Sequence, residues 1–181
     1  RPHKGNAVRF YFENLLPDSK DIRERVARRY QVGATDAYTL LREVGRDCVG
    51  ALQILPAGDE PPTDLRVQAE PMSDHAVAQR IRTLAQPGAL GDAGMADDFR
   101  ISIAGAQEKD ALLFWQGRWC RPMGATPTTH IFKLPLGLIG NLQLDMQHSV
   151  ENEWLCAQLL AAYGLPVAPC EILRFEDLKV L

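Results

Sequence analysis

The sequence predicts an α+β chain in two parts, a helical first half followed by an antiparallel sheet that carries one long helix. Three observations lead there. Before residue 87 the apolar residues recur every three or four positions, the period of a half-buried helix. After residue 98 they fall into short β-branched and aromatic runs bounded by turn residues. Between the two, Pro87, Gly88, Gly91 and Gly94 make the sharpest change of composition, and a boundary is expected there. The expected units are residues 1–95 and residues 96–181.

Taken in order, Phe10 to Leu16 is densely apolar and ends on Pro17, Asp18 and Ser19, a turn followed by an N-cap. The helix that follows, to about Tyr30, carries Ile22, Val26 and Tyr30 on one stripe and Arg23, Arg25, Arg28 and Arg29 on a solvated side. A second helix starts at Thr35 or Asp36, buries Tyr38, Leu40, Leu41 and Val44, and stops at Gly45. Val49 to Leu55 reads as a strand. Ser73 caps a third helix that reaches Ala85, with Val77, Ile81 and Leu84 as its apolar stripe. Strands are expected at Phe99–Ile103, Ala111–Trp115, Arg118–Cys120 after a Gln116-Gly117 turn, and His130–Leu134, together an antiparallel meander. The last helix runs from Ser149 to Tyr163 on the row Val150, Trp154, Ala157 and Ala161, and Gly164 and Pro166 end it. Val167 to Leu173 continues as an extended segment.

Composition excludes several classes. A hydrophobic fraction of 46% over 181 residues supports a real core, and a net charge of -3 leaves no global basic field for nucleic acid. Cys48, Cys120, Cys156 and Cys170 include no C-x-x-C pair, and His3, His75, His130 and His148 stand at no zinc-ligand spacing. A reduced, cytoplasmic protein without a structural metal is expected, with no membrane partner. Arg1 at the start and Lys179-Val180-Leu181 at the end lead us to expect a fragment.

The stretch Arg100 to Lys109, Arg-Ile-Ser-Ile-Ala-Gly-Ala-Gln-Glu-Lys, leads from an apolar strand into a small-residue loop that ends on a lysine. Small residues at Ala104, Gly105 and Ala106 let backbone N–H groups approach an anion, and Lys109 adds a full positive charge. Taken alone, a one-glycine loop between strands reads first as a plain hairpin. Its context is more informative: a lysine on a following strand, then a helix with carboxylates, is the element order of a protein-kinase small lobe. Lys133, between Phe132 and Leu134, is the candidate phosphate-gripping lysine, and an edge-strand lysine reaching into water is the alternative. Glu153, three residues after Val150, can stand at the inner border of the last helix and hold Lys133, whereas Glu151 is expected to face solvent.

Five segments in order resemble the HipA-type serine/threonine kinase toxins of bacterial toxin-antitoxin pairs: FENLLPDS at Phe12–Ser19, EVGRDCVGAL at Glu43–Leu52, SIAGAQEK at Ser102–Lys109, TPTTHIFKLP at Thr126–Pro135 and SVENEWLC at Ser149–Cys156. The resemblance implies a family-specific N-terminal subdomain, then a kinase-like small lobe with an antiparallel sheet and one helix. It implies that Ala104, Gly105, Ala106, Gln107, Glu108, Lys109 and Lys133 bind ATP, and that Ser102 is an autophosphorylation site whose modification displaces the loop. It also implies a protein substrate such as glutamyl-tRNA synthetase and a helix-turn-helix, HipB-like antitoxin that brings operator DNA with it.

The departures from the family's pattern set limits. The chain contains no H-R-D, no D-F-G and no Asp-x-x-x-x-Asn, so the base and the Mg2+ ligands are expected beyond Leu181, with the C-terminal lobe. The family's first strands are likewise expected before Arg1. Alone, the chain is expected to bind but not transfer phosphate. Two other functions compete: a non-catalytic kinase-like module that binds an antitoxin or target through Phe10–Leu55, and a hydrolase built on Ser102, His130 and an aspartate such as Asp110. The latter lacks a G-x-S-x-G elbow.

Overall fold

The structure is a computed structural model that describes residues 2–45, 52–55, 57–61, 66–85, 107, 109–123, 126–139 and 143–181. Ser102, Ala104, Gly105, Ala106, Glu108, Cys48 and the expected strand at 99–103 lie outside the described residues.

The first core is helical. Helix α1 (Asn6–Glu13), which the sequence reading missed, starts behind Gly5, whose φ of 87° places it in the left-handed region. Helix α2 (Lys20–Arg29) is capped by Ser19, whose Oγ accepts from the Ile22 N–H at 3.4 Å, and α3 (Ala37–Val44) by Asp36, whose carboxylate accepts from the Thr39 N–H at 3.1 Å. Leu16, Ile22, Val26, Ala27, Ala37, Leu40, Leu41 and Val44 bury one another. Two expectations fail here. Tyr38 is 80% exposed rather than buried, because the inward stripe of α3 passes through Leu40, Leu41 and Val44. Arg23 does not face water: its guanidinium bonds the Glu13 carboxylate and donates from Nε to the Pro17 carbonyl at 2.6 Å, which ties α1 to the turn before α2. Gly45, the C-cap of α3, has no room for a side chain. A Cβ there would lie 2.7 Å from that of Ile54, whose N–H returns to the Gly45 carbonyl at 2.8 Å. Residues 52–55 form no strand.

The second core is a four-stranded sheet and the helix laid on it. Strands β1 (Ala69–Pro71), β2 (Lys109–Trp115), β3 (Arg118–Pro122) and β4 (His130–Lys133) pair antiparallel in the order β1-β3-β2-β4, and α4 (Asp74–Ala85) packs against them. The two-residue turn Gln116-Gly117, with φ of 51° and 75°, makes the expected β2–β3 hairpin. The sheet is not a sequential meander, because β1 occupies the outer edge of β3 and β4 therefore returns to β2. Val77, Ala78, Ile81, Leu112, Phe132, Leu134, Phe175 and Val180 fill this core. Thus α4, which precedes the composition boundary, shares its packing with the sheet that follows it. A buried bidentate pair links the two: Arg80 bonds Asp110 through Nε and, at 2.8 Å, through Nη2.

Two small hairpins, β5 (Gly137–Ile139) with β6 (Leu144–Met146) and β7 (Leu173–Phe175) with β8 (Leu178–Val180), flank helix α5 (Ser149–Ala162) in the chain. Lys133 and Leu181 exchange both backbone hydrogen bonds, at 2.9 and 3.0 Å, so the end of the chain lines the free edge of β4. Only Val150 of α5 is buried. Trp154, on the row expected to be apolar and inward, is 37% exposed, and Leu155, Leu159 and Leu160 are also open. Among the described residues no helix is long and apolar enough to cross a membrane.

Candidate functional site

The site grows from the β2–β4 pairing. Its register sets Lys109 directly opposite Lys133, with Ala111 opposite Ile131 on the same face. Asp110, Leu112 and Phe132 point the other way, into the second core or toward α4. Two lysines opposed on one sheet face repel, and the arrangement persists only with compensating negative charge. Glu153 on α5 supplies it, accepting from the Lys133 ammonium in an ion pair that is about a third exposed on the lysine side. Lys109 responds to the same surroundings. Burial, and then the Lys133 charge, push its pKa below the ordinary lysine value, while Asp18 and Glu153 pull it back up. Gln107 is fixed at the start of β2 by donating from Nε2 to the Leu134 carbonyl at 2.7 Å.

Glu151, expected to face solvent, is 41% exposed and also has a partner. It accepts from Lys179 on β8, which holds its carboxyl below the usual carboxylate range. The sequence contained a signal for this partner: Leu178-Lys179-Val180 alternates, and with Val180 in the core Lys179 must face the other way. The start of α5 is fixed by Ser149, whose Oγ accepts from the Leu136 N–H at 3.0 Å.

The arrangement suits a polyanion: two ammonium groups lie side by side, Glu153 orients Lys133, and Asp18 is near enough to act on the charge of Lys109. Among the described residues no group of three His, Cys, Asp or Glu side chains could hold a metal ion, and both α5 glutamates are taken by lysines. These residues therefore do not fit a magnesium site. Of the residues of the hydrolase alternative, Asp110 is committed to Arg80, and His130 bonds Thr129 at 2.8 Å and stands edge-on to Trp119. Elsewhere, a groove of about 790 Å³ beside α1 and α3 is lined by Val8, Phe12, Tyr38, Leu41, Ile54 and Leu55 and contains none of the lysines of the sheet.

A strand lysine ion-paired to a carboxylate on the next helix is the arrangement of the small lobe of a kinase-type phosphotransferase. The chain belongs to the HipA family: the HipA N-terminal domain matches residues 1–55, and the HipA-like C-terminal domain matches residues 101–181. It is 31% identical, over 94% of its length, to a Sinorhizobium fredii protein named as a kinase, Y4mE, and covers 39% of that relative. It is 27% identical, over 97% of its length, to the serine/threonine-protein kinase toxin HipA of Shewanella oneidensis, and covers 37% of it. Among solved structures it resembles a chain of the complex described as the Shewanella oneidensis MR-1 toxin-antitoxin system HipA, HipB and its operator DNA. That likeness has a TM-score of 0.66 and 26% identity, over 96% of this chain and 37% of the other. The chain thus spans less than two fifths of the length of these relatives.

Proposed function

We propose that the chain is the N-terminal part of a HipA-like serine/threonine kinase and that the corner made by β2, β4 and α5 receives the phosphates of ATP. The observation that carries this reading is the Lys133–Glu153 ion pair beside Lys109. Glu153 holds the Lys133 ammonium at one place, and its remaining N–H donors are then set for phosphate oxygens without reorganisation. Lys109 adds the second positive charge. In this reading Ala104, Gly105, Ala106, Gln107 and Glu108 lie against the same phosphates, and Ser102 is the autophosphorylation site. A phosphate there brings nearly two negative charges to a place that serves anions, which opposes nucleotide binding.

The complete protein, with Mg2+ held by residues outside this chain, would phosphorylate a cytoplasmic translation target such as glutamyl-tRNA synthetase. A HipB-like antitoxin that binds operator DNA would neutralise it. The relatives named as kinases support the kinase activity, and a structural neighbour solved with HipB and operator DNA supports the antitoxin and DNA partners.

The test is ATP titration of the full-length protein. Removing the lysine in Lys133→Ala loses charge-assisted bonds and should weaken binding by about 10- to 100-fold. Unchanged affinity overturns the reading. The α1–α3 groove favours a second reading, an interaction module that works without chemistry. It predicts that Lys133→Ala keeps full biological effect.

A further inference from the structure

We infer that Lys179 and Glu151 form a positioning pair, a second strand-to-helix bridge that fixes the rotation of α5 so that Glu153 meets Lys133. The inference rests on the proposed role of Lys133. It begins from the backbone. Because Lys133 and Leu181 exchange both hydrogen bonds, they form a narrow antiparallel pair whose side chains share one face of the sheet. Lys179, two residues before Leu181, shares that face too. Lys133 and Lys179 therefore rise from neighbouring strands toward the same helix, and each meets a carboxylate there.

The two carboxylates are two residues apart, which is roughly 200° around a helix, so they leave α5 on opposite flanks. A rotation of α5 that eases one bridge must strain the other, so together they resist turning in either sense. One bridge alone would not do so. Within this chain apolar packing does little of this task, because Val150 is the only buried residue of the helix. The Ser149–Leu136 bond holds only the first residue of α5. The Lys179 side chain is 18% exposed against 33% for Lys133, while the two carboxylates are equally open, so the difference between the bridges lies on the lysine side. Engaged with Glu151, Lys179 acts through Glu153 and does not itself serve the nucleotide.

The experiment is steady-state kinase kinetics and ATP binding of the full-length protein, with Lys179→Met and Glu151→Gln made in both the wild-type and the Glu153→Gln backgrounds. In the wild-type background each is expected to lower kcat/KM for ATP about tenfold. In the Glu153→Gln background each is expected to add less than about twofold, because the bridge then has nothing to position. Lys179→Arg, which keeps the charge, should retain most of the activity. Glu151→Gln is isosteric and carries the test if Lys179→Met does not fold. Silent single variants, or losses that multiply undiminished onto Glu153→Gln, overturn the inference. The proposed function fails separately, through undisturbed ATP affinity in Lys133→Ala.

Discussion

Replacing Asp110 by alanine removes one half of the buried pair that joins α4 to β2. Asp110 is 1% exposed and the Arg80 side chain 10%, and the two are bonded through the Nε–Nη2 edge of the guanidinium, so solvent cannot stand in for the lost carboxylate. Removing one partner of such a pair costs about 3–5 kcal/mol, because the other charge stays buried. For a domain of this size, at about 2–4 °C per kcal/mol, the melting midpoint should fall by roughly 6–20 °C. Asp110→Asn keeps the shape and one acceptor and should fall between the wild type and Asp110→Ala. The double variant Asp110→Ala/Arg80→Met also removes the buried charge and should recover part of the loss. Differential scanning fluorimetry of the four proteins checks the order. A fall of less than about 2 °C for Asp110→Ala, or a double variant that melts below it, would refute the argument from burial.

Two further outcomes concern pH. Because the pKa of Lys109 is lowered by burial and by Lys133, its amine should react faster with an acylating reagent at pH 8–9 than an ordinary surface lysine, as read by mass spectrometry. Bound ATP phosphates would favour the ammonium and slow that reaction, so ATP affinity should fall as pH rises through the lowered pKa. The other outcome lies at the acid end. His75 and Arg82 hold the Glu176 carboxyl below its ordinary value, and Arg82 does the same for Asp177, so the folded state binds these protons less readily than the unfolded chain. The stability they confer is present above their unfolded values of 4.5 and 3.8 and is lost as pH falls through the lowered folded values. Arg82→Met should therefore flatten the acid limb of a plot of melting midpoint against pH. An unchanged slope would remove this bridge as a source of acid sensitivity.

Much of the fold could be read from local chemistry. Ser19, Asp36 and Ser73 mark helix starts because a side-chain oxygen before an apolar stripe satisfies an exposed N–H, and each does so here. Gln116-Gly117 marks a hairpin because both residues take positive φ. The approach of Glu153 to Lys133 was legible for the same kind of reason, since helix phase alone places Glu153 near the buried Val150. What was not legible depended on partners distant in sequence. Helix α1 lacks a side-chain cap, and Phe10-Tyr11-Phe12 shows no period. Strand β1 is three residues long and ends on a proline, so only its pairing with β3 reveals it. Glu151 would face water on an isolated α5, and it took a lysine 28 residues later to claim it.

The register of β2 against β4 has a consequence for misfolding. Slipping β4 by one residue would turn Lys133 toward the side now filled by Phe132 and Leu134 and bring Phe132 out in its place. The penalty would be a charge driven into an apolar core as well as the loss of a contact. The residues that make the site thus also proofread the sheet. A chain that pairs its strands wrongly loses the lysine pair and the core in the same step, and a misregistered yet stable small lobe is not an available outcome.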